Sequence, residues 1–245
     1  MHLSNEQSKV LNLFKQWIVS ERRFVNPNIG CCRLYEKYIK VRNLYPQCYR
    51  NLDINDTSVY DLMCRGYIFP LLERDRKGRV VIFGRSAMFR QKHGHRPTDL
   101  FRALTMTLET LLDDEENQVN GFVYIFDQEG VTLTEITYLG VWQMQKLLKS
   151  GEHSLPVKHK EIHWLHLSPL ISTIFYFIAS FLTEKLRHRL YFHRELSDLH
   201  ECIPATILPL EYGGSVPWKL MSEKWIKRLQ TNREKLLSLD AMSVK

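Results

Sequence analysis

The sequence predicts an α/β fold with a mostly parallel sheet, preceded by a small all-α N-terminal domain. Three observations predict it. Hydrophobic residues recur at three- and four-residue steps through the first 65 positions, which is the helical period. Beyond them, short and nearly continuous apolar runs alternate with amphipathic stretches, the pattern of strands buried on both faces and joined by crossover helices. Late in the chain lies a run without a charged side chain, Leu167 to Leu182, flanked on both sides by basic clusters.

The N-terminal stretch from Asn5 to about Arg65 reads as helical. Leu11, Phe14 and Ile18 form one run and Leu34, Tyr38, Val41 and Tyr45 a second, with Asn26-Pro27-Asn28-Ile29-Gly30 breaking the two. Strands are expected at Tyr67–Leu72, Val80–Arg85, Phe122–Phe126, Ile162–Leu165 and Leu190–Phe192. The first two flank Asp75-Arg76-Lys77-Gly78, a turn signal that favours a hairpin or an antiparallel edge. A helix is expected from Asp99 to Glu116, with Phe101, Leu104, Leu108, Leu111 and Leu112 on one stripe. A second runs from about Thr134 to Lys149. Trp218, Leu220, Trp225, Ile226 and Leu229 predict a docked C-terminal helix.

Leu167–Leu182 is too short and too diluted by Pro169, Ser168, Ser172, Thr173 and Ser180 for a bilayer-spanning helix, which needs roughly 20 apolar residues. It reads as an apolar helix instead. Phe175, Tyr176 and Phe177 cannot all face one way at about 100° per residue, so some apolar surface must point away from the main core.

The 245 residues, 44% hydrophobic and 25% charged, suffice for a real core, as one main domain with a smaller helical piece. Thirty-four Lys and Arg against 27 Asp and Glu give a formal charge of +7, which favours an anionic partner. No zinc-finger spacing or aromatic RNA-reading signature accompanies that charge, so nucleic acid is not the expected partner. The five cysteines include no CxxC pair, and the N-terminus lacks a signal peptide's apolar core; a reducing, intracellular setting is expected.

Asp127 and Glu129 have the chemistry for acid and base work, but Gly213-Gly214-Ser215-Val216-Pro217 lacks the final glycine of a nucleophile elbow. Phosphate-cradling and dinucleotide loops are also missing, so neither an enzyme nor a cofactor is expected. His159, His163 and His166 have loose metal-like spacing. An i, i+4 pair holds a metal on a helix, whereas Ile162–Leu165 reads as a strand, so these histidines are taken as structural and no metal is expected.

The segments DRKGRVVIFGR (75–85), LLDDEENQVNGFVYIFDQEG (111–130), SLPVKHKEIHWLH (154–166), FLTEKLRHRLYFH (181–193) and IPATILPLEYGG (203–214) together resemble a CRAL-TRIO lipid-binding domain. The likeness is greatest to the animal branch of tocopherol-transfer, retinaldehyde-binding and clavesin proteins. That resemblance implies a sheet flooring an apolar cavity closed by a helical lid, and it places the lid on the uncharged run. It implies domains at 1–65 (helical), 66–215 (lipid-binding) and 216–245 (helical tail).

The resemblance implies ligand contacts at Phe101, Leu104, Leu108, Phe122, Phe126, Leu147, Leu155 and Ile162, and at Ile171, Ile174, Phe175, Ile178 and Phe181 on the lid. It implies phosphoinositide contacts at Lys158 and Lys160, two apart in an extended segment, and at Lys185 and Arg189, four apart on an expected helix. The function implied is a non-enzymatic carrier of a hydrophobic small molecule, tocopherol- or retinoid-like. It would work in the cytoplasm, peripheral to endosomal or other intracellular membranes, without a transmembrane span. The alternative is an adaptor that binds phosphoinositides without exchanging cargo. The chain departs from the family pattern near its start: it passes from Phe24-Val25-Asn26-Pro27 almost directly to Cys31-Cys32-Arg33, so the helical bundle is expected to be short there.

Overall fold

Residues 27–140 and 157–241 are described by a computed structural model, with side chains of the first helix from Glu36 onward. The sheet has five strands in the order β1-β2-β3-β4-β5: β1 Ile68–Pro70, β2 Val80–Arg85, β3 Phe122–Asp127, β4 His159–Leu165 and β5 Leu190–His193. Strands β2 to β5 are parallel and β1 pairs antiparallel with β2, as the sequence leads one to expect. The turn between β1 and β2 is closed by Asp75, whose Oδ1 accepts from the backbone N–H of Lys77 and Arg79, both at 2.9 Å.

The helices are α1 Pro27–Leu44, α2 Pro46–Tyr49, α3 Thr57–Cys64, α4 Pro97–Leu111, α5 Glu115–Asn120, α6 Leu133–Leu139, α7 Pro169–Ala179, α8 Glu184–Arg187, α9 Leu196–Cys202, α10 Trp218–Thr231 and α11 Arg233–Ser238. Three of these differ from expectation. The predicted break at Asn26–Gly30 is a helix start: Pro27 takes the first helical position, where its missing N–H costs nothing, and Asn28–Gly30 continue the helix. The helix expected over Asp99–Glu116 splits, because Asp114 caps a new helix by accepting from the Glu116 N–H. The helix expected to reach Lys149 stops at Leu139, where Gly140 takes φ 73°; positions 141–149 lie outside the described residues.

One hydrophobic cluster runs from Tyr38 and Ile39 on α1 through the sheet to Leu236 and Leu239. A smaller, separate cluster joins Ile136 on α6 to Ile171 and Phe175 on α7. α10 docks by burying Met221, Trp225 and Leu229, while the Ser222 hydroxyl donates to the Met63 carbonyl at 2.9 Å. Among the described residues no helix is long and apolar enough to cross a membrane.

Candidate functional site

Parallel register puts two apolar rows on one face of the sheet, since alternate residues of a strand share a face. One row is Ile82, Tyr124, Ile162 and Leu190; the next is Gly84, Phe126, Trp164 and Phe192. The rings form a ladder, with Tyr124 to Phe126 at 6.2 Å between centroids and Phe126 to Trp164 at 5.1 Å. Gly84 makes this possible: a Cβ there would stand 2.6 Å from Cδ1 of Phe126, so only glycine lets that ring lie across β2.

Helix α7 roofs the second row. Ser168 caps it by accepting from the Ile171 N–H, and Pro169 opens its first turn. Ile171, Phe175, Ile178 and Ala179 are buried, and Phe175 meets Trp164 at 4.3 Å between centroids. Tyr176 meets Phe192 at a tilt, with 4.6 Å between ring centroids. The outer side of the same helix leaves Leu170, Tyr176 and Phe177 at 58%, 57% and 48% exposure, the unburied apolar face that the three successive aromatics predicted.

Of the residues expected to line a ligand site, the structure brings together Phe126, Ile171, Ile174 and Phe175 around Trp164 and Phe192, with Ile162 beside them in the adjacent row. Ile178 is buried on α7, and Phe181 packs edge-on against Phe177. Leu108 and Phe122 are completely enclosed in the main core, and Phe101 and Leu104 pack partly buried against it. Leu147 and Leu155 lie outside the described residues. Sequence reasoning missed Trp164 and Phe192, although each shares the parity of an apolar residue two positions before it, Ile162 and Leu190.

Three of the four expected headgroup residues, Lys158, Lys160 and Arg189, lie where β4 and β5 begin. Lys158 is buried, and its ammonium donates to the Val119 carbonyl at 3.0 Å. Lys160 lays its aliphatic stem against Gly121, whose φ of 88° and crowded Cα position exclude a side chain. Arg189 donates to the His159 carbonyl. Lys185 is exposed on α8. The helical spacing argument for Lys185 and Arg189 does not hold, because α8 ends at Arg187 and Arg189 follows through a turn, its N–H bonded to the Leu186 carbonyl at 3.0 Å. Between these cations His159 bonds the Tyr124 hydroxyl at 2.8 Å through Nδ1; burial, and then the Arg189 charge, push its pKa down to about 4.

Residues 64–214 match the family model of the CRAL/TRIO domain. The alpha-tocopherol transfer protein-like protein of Homo sapiens is 30% identical over 184 residues, which are 75% of this chain and 53% of that protein. Clavesin-1 of Xenopus laevis is 28% identical over 186 residues, 76% of this chain and 56% of that protein. The chain thus spans about half the length of the curated relatives it matches. The crystal structure of Sfh5 superposes with a TM-score of 0.61 at 12% identity, covering 93% of this chain and 83% of that one, a likeness of fold.

Proposed function

The chain belongs to the CRAL/TRIO domain family, and from that premise we propose that it is a non-enzymatic carrier holding one hydrophobic small molecule between the aromatic sheet face and helix α7. One observation carries the reading: α7 rests on Trp164 and Phe192 through a cluster separate from the main core, while Leu170 and Phe177 face outward. A helix with apolar side chains on both faces can exchange one apolar neighbour for another at low cost. Each side chain offers the ligand about 25 cal/mol per Å² of apolar area removed from water. The binding unit is residues 66–215, flanked by segments 1–65 and 216–245, and the cargo class is tocopherol- or retinoid-like, in keeping with the name of the human relative.

Docking is on a phosphoinositide-bearing intracellular membrane, from the cytoplasm. Lys160, Lys185 and Arg189 present the cationic edge, and at roughly 1 kcal/mol per cation they supply about 3 kcal/mol, enough for reversible attachment. Lys158 contributes less, because its ammonium is buried against a carbonyl.

Sedimentation with phosphoinositide liposomes tests this reading. Lys160→Ala and Lys185→Ala should each weaken binding about fivefold; unchanged binding removes the docking claim. Phe177→Asp, at an exposed position, should leave the fold intact and stop transfer between donor and acceptor vesicles. Liposome binding without any cargo transfer by the native chain would make it an adaptor.

A further inference from the structure

The opposite face of the sheet carries a different chemistry. There the register sets Phe83, Ile125, His163 and Tyr191 in one row and Arg85, Asp127, Leu165 and His193 in the next. Helix α9 crosses β4 and β5 on this face and ends at Cys202. His163 and His193 are 1% and 6% exposed, their rings stack at 5.1 Å, and Nδ1 of His163 lies 2.8 Å from Nε2 of His193. The two imidazole nitrogens and the Cys202 Sγ all lie within 4.8 Å of one another. Cys202 is exposed, so the cluster opens to solvent on that side.

The other nitrogen of His163 is the second, independent observation. Its Nε2 is buried without a hydrogen-bond partner, and the nearest carboxylate oxygen, Oε2 of Glu161, stands 3.5 Å away. Glu161 is itself fixed by Arg79, whose Nη1 and Nη2 donate to its two oxygens at 2.6 and 2.8 Å. A metal-bound histidine passes its remaining ring N–H to such an anchored carboxylate, which orients the ring and raises its basicity.

We propose that His163 through Nδ1, His193 through Nε2 and Cys202 through Sγ form a binding site for a zinc-class divalent metal, with Glu161 as the carboxylate that positions His163. Two nitrogens and one thiolate suit a borderline-soft ion in tetrahedral geometry, with water from the Cys202 side as the fourth ligand. For bonds of about 2.05 Å the two nitrogens must stand about 3.3 Å apart, an opening of about half an ångström from the present contact. On binding, the metal displaces the thiol proton of Cys202, which leaves to water, while each imidazole stays neutral and carries its one proton on the nitrogen turned away from the metal, His163 on Nε2 toward Glu161. Two positive charges enter as one departs, so the site gains one positive charge. The bound ion staples α9 to the edge of the sheet. The neighbouring group of Asp127, Glu129 and His166 lacks this character, since Asp127 already accepts from Tyr212, His166 and the Glu129 N–H at 2.5, 2.9 and 3.0 Å.

Titration of the full, metal-free chain with Co²⁺ tests the proposal. The expected result is one equivalent bound with intense tetrahedral visible bands and a near-ultraviolet thiolate-to-cobalt charge-transfer band, bleached by Zn²⁺. Cys202→Ser, at an exposed position, should keep the circular dichroism and lose the charge-transfer band, whereas Cys64→Ser should keep it. Glu161→Gln should weaken Co²⁺ binding about 10- to 100-fold with the bands retained. Absence of tetrahedral bands in the native chain, or a charge-transfer band that survives in Cys202→Ser, overturns the site; His193→Gln gives the same reading should Cys202→Ser fold poorly.

Discussion

At the scale of single residues, the site is shaped by side chains whose environment changes their chemistry. His159 is the plainest case: enclosed against the Tyr124 hydroxyl and beside the Arg189 guanidinium, it is held at about 4 against an ordinary value near 6.5. The unfolded chain therefore binds a proton that the native chain refuses between those two values, and stability is lost as pH falls through that window. Urea unfolding should show stability falling from pH 6.5 toward pH 4.5 with a slope approaching 1.4 kcal/mol per pH unit from this residue. His159→Gln should reduce the slope by that residue's share; an unaltered slope in that variant would assign the effect elsewhere. Neither this shift nor the inaccessibility of Lys158 was legible in the sequence, because both depend on what the α5–β3 junction and Arg189 place around the start of β4.

At the scale of elements, the strands were the most legible part. Their apolar runs, bounded by turn residues, predict all five within a few residues, and the Asp75–Gly78 turn predicts the antiparallel edge. Helix ends were less legible, since a cap competes with periodicity: Asp114 restarts a helix that the Leu104–Leu108–Leu111 stripe carries straight on. Cross-strand partners were not legible at all. His163 and His193 are 30 positions apart and meet only through the β4–β5 register, so local spacing arguments pass over them. A helix was expected in the uncharged run, and α7 forms there. α7 is held by a satellite cluster of Ile136, Ile171 and Phe175, whereas β3 is enclosed in the main core. Opening free energy follows such local burial. Native-state hydrogen exchange should release the amides of α7 at lower free energy than those of β3; equal protection in the two would mean that α7 is locked to the core and does not act as a lid.

At the scale of the whole molecule, one face of the sheet is apolar and roofed by a helix that is itself partly exposed, and the other is covered by α9 and carries the histidines. The separation places ligand exchange and the proposed metal staple on opposite sides of β4, so each can be altered without touching the other. The N-terminal and C-terminal helices share the main core with the sheet through Ile39, Trp225 and Leu239, which makes the floor of the site rigid while its roof is lightly held. The proposed carriage would use that contrast: a fixed aromatic floor would give the ligand a defined seat, and a detachable roof would let it leave at a membrane. The most direct measurement is native mass spectrometry, with lipid extraction, of the chain purified from a eukaryotic cell lysate. A single hydrophobic species at near one per chain, lost in Phe175→Asp, is the expected result. A chain that is empty as isolated, and stays empty after incubation with tocopherols, retinoids and other terpenoid lipids, would contradict it.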